Sequence, residues 1–197
     1  GTFIMVATYS LFYIMTAFAQ AYSRTPATLS EAGYPMGLGI PANTFTGLLL
    51  MSAIVFAIFI SISGLYADKI GRRKWLIWTT VSILIFALCM PLFLGNGTPA
   101  SVFAFLVIGM ALMGMTFGPM AALLPELFPT EVRYSGASLA YNIASIIGAT
   151  IAAMISLKIN ALYGLMGVGI YLAINAFLTL LALLASKETK NVDLTQI

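Results

Sequence analysis

The chain is short of charge. Of its 197 residues, 9 are Lys or Arg and 6 are Asp or Glu, 8% in all, where a water-facing surface takes roughly a quarter. The few charges are clustered and leave uncharged runs at 1–23, 32–67, 75–125, 134–157 and 159–186. No water-soluble surface can be assembled from such stretches, which excludes soluble enzymes, nucleic-acid binders and secreted disulfide scaffolds. Histidine is absent and Cys89 is the single cysteine. That removes zinc, haem and thiol–histidine constellations and any disulfide within the chain, and Cys89, inside an apolar run, reads as a small core hydrophobe. Neither a Walker sequence nor a Gly-rich dinucleotide fingerprint occurs. No metal and no cofactor are therefore expected. The chain opens Gly1-Thr2-Phe3 without an initiator Met or a basic signal region, and it reads as a piece of something longer.

What is present is apolar sequence, 61% hydrophobic residues with a mean hydropathy of +1.02. A membrane span takes about 20 apolar residues, and the runs resolve into six helices at about 3–22, 44–66, 75–94, 101–123, 135–157 and 167–185. The run 75–125 must hold two of them, because an unbroken helix of that length would be about 76 Å long. Pro91 and Gly95-Asn96-Gly97-Thr98-Pro99 supply the interruption. The segment 23–43, with three prolines and three glycines, is the long irregular loop. Counting Lys and Arg gives the orientation. Lys69, Arg72, Arg73, Lys74, Arg133, Lys187 and Lys190 fall on one face, only Arg24 and Lys158 on the other. The first face is expected in the cytoplasm with both termini, and the 23–43 loop, 95–100 and a turn near Lys158 outside. The fold class is an all-α membrane protein with the lipid bilayer as its solvent.

The turn between the second and third helices reads Gly64-Leu65-Tyr66-Ala67-Asp68-Lys69-Ile70-Gly71-Arg72-Arg73-Lys74. Gly64 removes a side chain where helices approach, and Gly71 permits the φ > 0 of a tight turn. A second block runs P-E-L-F-P-T-E-V-R-Y-S-G-A-S-L-A-Y-N-I from Pro125, with Glu126 and Arg133 separated by six residues. The spacing G-x-x-x-D-[RK]-x-G-R-[RK], followed by E-x6-R in that order, resembles the major facilitator superfamily. The wording of the second block, with the closing K-E-T-K-N-V-D-L, is most similar to the metabolite:proton symporter branch, whose members carry shikimate, 2-oxoglutarate, citrate and similar carboxylates, or proline and betaine. The resemblance implies a twelve-helix fold of which this chain is the C-terminal six-helix half-bundle, with the N-terminal half absent and the substrate held between halves. Sugar porters are the nearest rival, their P-E-T-K-G ending being only partly met at Lys187 and Asn191.

By that resemblance, Arg72 is expected to pair with Glu126, and Asp68 to address a helix start in the absent half. Gly64, Asp68, Gly71, Arg72, Arg73, Glu126 and Arg133 would together form a cytoplasmic latch. In the first helix Tyr9, Tyr13, Thr16 and Gln20 share a face by their spacing, as do Ser138, Tyr141, Asn142 and Ser145 in the fifth. Both helices line the cavity in the family, so Tyr9, Tyr13, Thr16, Gln20, Ser138, Tyr141 and Asn142 are read as substrate wall, while Tyr171 and Asn175 are read as helix contacts. Gly109, Gly114 and Gly118 are expected to permit close packing and bending of the fourth helix, and Pro119 to end its regular hydrogen bonding. No charged residue lies mid-membrane, where proton relays are built. Proton coupling, and an arginine for a carboxylate substrate, are therefore assigned to the missing half. The expected partners are a small-molecule substrate, protons, the other half and lipid, with no nucleic acid, and the localisation is the inner or plasma membrane. A sugar or drug carrier of the same fold is the alternative. A membrane enzyme is disfavoured by the lack of His and of G-x-S-G or G-x-G-D, and a channel by the lack of a charged ring.

Overall fold

The computed structural model describes residues 1–148 and 152–186. Its helices are α1 (Thr2–Tyr13), which passes through a π-helical segment (Ile14–Phe18) into α2 (Ala19–Arg24), then α3 (Ala42–Ile70), α4 (Arg72–Leu88), α5 (Met90–Leu94), α6 (Pro99–Glu126), α7 (Arg133–Ile146) and α8 (Ala152–Ala185). Four stretches, Thr2–Arg24, Ala42–Ile70, Pro99–Glu126 and Met154–Ala185, are long and apolar enough to cross a membrane. The last is bent into two arms. At Gly164 the backbone takes φ 70 and ψ −171, a region essentially closed to residues with a Cβ, and the chain reverses there.

Contacts fix the direction of each pass. Thr179 Oγ1 donates to Phe3 O (2.7 Å) and accepts from the Ala7 N–H (3.1 Å), and Asn175 Nδ2 donates to Ser10 Oγ (3.0 Å), so the second arm of α8 runs antiparallel to α1. Asn160 Nδ2 donates to Pro35 O (3.0 Å), which puts the first arm's end beside the 25–41 loop. Arg73 donates to the carbonyls of Leu183 and Leu184 at 2.7 Å each, which puts the far end of α8 beside the α3–α4 turn. The described residues thus cross the bundle six times between a basic end, at the α3–α4 turn, and a loop end, at 25–41, 95–98 and Gly164.

Three boundaries differ from the sequence expectation. The helix carrying Lys158 runs on to the break at Gly164, because an isolated lysine does not disturb an otherwise apolar helix. The third pass breaks between Leu88 and Met90, since Pro91 has no N–H to give the Ala87 carbonyl. The fourth pass, conversely, does not lose its helix at Pro119 and continues to Glu126 with Pro119 and Pro125 inside it. Pro119 cannot bond the carbonyl four residues back, that of Met115. The indole Nε1 of Trp75, on α4, donates to that oxygen at 3.0 Å. A neighbouring helix thereby satisfies the freed group, which is how prolines are accommodated in spanning helices.

Lipid tails are as apolar as Leu, so helices associate in a bilayer by fit and by hydrogen bonds. The α3–α6 contact shows both. A Cβ on Gly118 would collide with Ser63 Oγ and Ile60 O, and one on Gly114 with Phe56 O. Ser63 Oγ donates across the seam to Gly114 O at 3.0 Å. The buried core divides into a loop-end cluster around Phe18, Tyr22, Phe86 and Phe105 and a basic-end cluster around Met5, Leu76, Leu123 and Leu183. On α3 the residues Leu50, Ile54, Ile58, Ile62 and Leu65 form an exposed apolar stripe.

Candidate functional site

At the basic end, α3 stops because Gly71 takes φ 114 and ψ 125, and α4 starts at the next residue. This abrupt reversal places Arg72 between two carboxylates. Its Nε donates to Asp68 Oδ1 at 3.0 Å, and its Nη1 donates to Glu126 Oε1 at the end of α6. The Arg72 and Glu126 side chains are 21% and 13% exposed, whereas Asp68 is 61% exposed. Burial works against the charge of Arg72, but its hydrogen bonds to Glu126 and Asp68 outweigh it and hold its pKa above the ordinary guanidinium value. Arg73 reaches the other way, to the last carbonyls of α8. Tyr66 stacks on Trp75 across the turn with ring centroids 5.9 Å apart.

Within this chain a Cβ on Gly64 would meet nothing, and Gly118 is the residue that lets α6 approach the Gly64 backbone. Asp68 is engaged by Arg72 and remains largely exposed. Arg133 stands apart from the pair. Its Nε donates to Phe128 O at a long 3.4 Å, and its buried Nη2 meets no acceptor among the described residues.

The two polar stripes lie on neighbouring helices. Gly148 packs against Tyr9, and Tyr9 and Tyr141 pack on the same basic-end cluster. Tyr9, Tyr13, Thr16 and Gln20 are all half-buried, between fully buried neighbours such as Leu11, Ile14, Met15 and Phe18. Thr16 Oγ1 donates back to Phe12 O (2.7 Å) within the π-helical segment, a device common where helices carry function and one that periodicity could not reveal. Gln20, with its amide oxygen toward Arg24, accepts from Nη1 and Nη2 at 3.1 and 3.0 Å. On α7, Ser138 and Asn142 are exposed, and Asn142 Nδ2 donates to Ser138 O at 2.8 Å. Tyr9 and Tyr141 therefore share the basic-end cluster, while Gln20 lies at the loop end and Ser138 near the basic end. Sequence reading missed the Trp75 indole and the backbone reach of Arg73. Asn175 makes its helix contact through Ser10.

A family model described as sugar (and other) transporter matches residues 36–197. The chain belongs to this family of the major facilitator superfamily. The chain is 86% identical over its whole length to a Haemophilus influenzae protein named for metabolite transport, covering 45% of it. It is 53% identical over 98% of its length to the inner membrane metabolite transport protein YhjE of Escherichia coli, covering 43% of that protein. A proline/betaine transporter of Salmonella typhimurium is 32% identical over 74% of the chain, covering 29% of its own length. The chain thus spans less than half the length of these curated relatives. No solved structure gives a significant match.

Proposed function

We propose that this chain is the C-terminal half of a secondary active transporter, with helices seven to twelve of the fold, which carries a small organic acid or zwitterion together with protons by alternating access. The observation that carries the reading is the Arg72 bridge between Asp68 and Glu126, placed where the superfamily has its cytoplasmic loop signature and found in a chain whose relatives bear metabolite and proline/betaine transport names. The bridge, with Gly64, Gly71 and Arg73 around it, forms one face of a latch toward the other half that is closed in the outward-facing state, and its basic residues lie in the cytoplasm with both termini. The exposed face of α7 and the apolar stripe of α3 meet the other half. Tyr9, Tyr13, Thr16, Gln20, Ser138, Tyr141 and Asn142 supply neutral hydrogen-bond partners to the substrate, and the protein lies in the inner membrane, not as an enzyme but as a carrier.

The full-length protein, reconstituted in proteoliposomes, should accumulate succinate, proline or glycine betaine in preference to glucose, and do so faster with an inward proton gradient. The description of the matching family favours a sugar carrier as the second reading. Glucose uptake that ignores the proton gradient would establish that reading instead.

A further inference from the structure

Beside the start of α7 lies a cavity of about 360 Å³ lined by Pro125, Arg133, Tyr134, Ala137, Ser138 and Tyr141. Its lining holds one cation and three hydroxyls and no carboxylate. Of the acids near in sequence, Glu126 is already held by Arg72, and Glu131 is exposed and outside the lining. Arg133 is under-used: one donor makes a long bond to Phe128 O, and Nη2 is buried with no acceptor among the described residues. A buried donor left unmet is costly, and bonds between charged groups are the strong ones. Rotation of the guanidinium into the cavity would exchange this unmet donor for a two-pronged carboxylate pair, with the Ser138 and Tyr141 hydroxyls at hand. Tyr141 packs on the same basic-end cluster as Tyr9, so the cavity continues the polar wall on α1 and α7 toward the basic end.

We infer that Arg133, with Ser138 and Tyr141, is a carboxylate-binding site at the basic mouth of the transport path, where the substrate's acid group is held on its way in or out. The inference deepens the transport reading and rests on it. It places one positive partner for the substrate in this half, where sequence reasoning had assigned that role to the other half.

The test uses phenylglyoxal, which modifies free guanidinium groups, on the purified full-length protein, with modified peptides mapped by mass spectrometry. Acetate should slow modification of Arg133 at least about threefold, acetamide at equal ionic strength should not, and Arg24, exposed at the opposite end, should respond to neither. Equal rates in acetate and acetamide overturn the site. An Arg133 that never reacts also overturns it, because a side-chain carboxylate from elsewhere in the protein then already fills the place. In proteoliposomes, Arg133→Gln should raise KM for the transported carboxylate about tenfold with kcat within about twofold of wild type, and Arg133→Lys should recover part of the loss. A fall in kcat at constant KM returns Arg133 to a gating role and overturns the proposal. Protection by acetate in a protein that carries only uncharged solutes leaves the site standing and removes the transport reading.

Discussion

At the scale of single residues, exposure ranks the two carboxylates on Arg72. Glu126 is the more buried, so Glu126→Gln leaves a partly buried cation short of a partner and should cost about 2 kcal/mol. Asp68→Asn removes an exposed pair and should cost only about 0.5 kcal/mol. Thermal unfolding of the two variants in detergent should therefore separate clearly, with Glu126→Gln lower. Uptake should fall in Asp68→Asn although it folds, and unchanged uptake would remove Asp68 from the latch. Because Arg72 titrates above its usual value, the charge that stabilises the pair is fully present below the ordinary guanidinium pKa and is lost only above it. Changes around neutral pH will not open the pair from the arginine side. Gly64→Ala should leave stability unchanged or raise it by about 0.5 kcal/mol, since a Cβ there meets open space and Gly weakens a helix interior. A drop in transport by that stable variant would mark the approach of the other half.

At the scale of elements, Trp75 and Pro119 form a pair that no short-range rule pairs. Trp75→Phe keeps the stacking ring and strips the donor from the Met115 carbonyl, and should cost about 1–2 kcal/mol. In a Pro119→Ala background, where the helix again supplies its own N–H, the same change should cost less. Additive costs in this double-mutant cycle would show that the indole does not serve the proline. The example marks what sequence could disclose. Apolar runs and Gly/Pro punctuation were enough for the all-α class and the loop signature, because a bilayer leaves the backbone few options. Periodicity also put Tyr9, Tyr13, Thr16 and Gln20 on one face of their helix, and all four are half-buried there. The π-helical segment at Ile14–Phe18, the reversal at Gly164 rather than near Lys158, and the unmet Nη2 of Arg133 depend on partners far away in the chain, and local pattern holds no record of them.

At the scale of the molecule, the excess of Lys and Arg at one end predicts topology. In a full-length protein cleared of native cysteines, Ala32→Cys should react with a membrane-impermeant maleimide in intact cells, and Lys74→Cys only after permeabilisation. The reverse pattern would invert the orientation and the assignment of the latch to the cytoplasm. The four residues from Gly71 to Lys74 also have a mechanical consequence. Through Asp68, Glu126 and the carbonyls of Leu183 and Leu184, Arg72 and Arg73 fasten the extremities of α3, α6 and α8 to the beginning of α4. Those four tips cannot splay independently, so this side of the molecule swings as a stiff plate. Spin labels set on the tips should keep constant mutual separations through a transport cycle, while their separations from the remainder of the protein change.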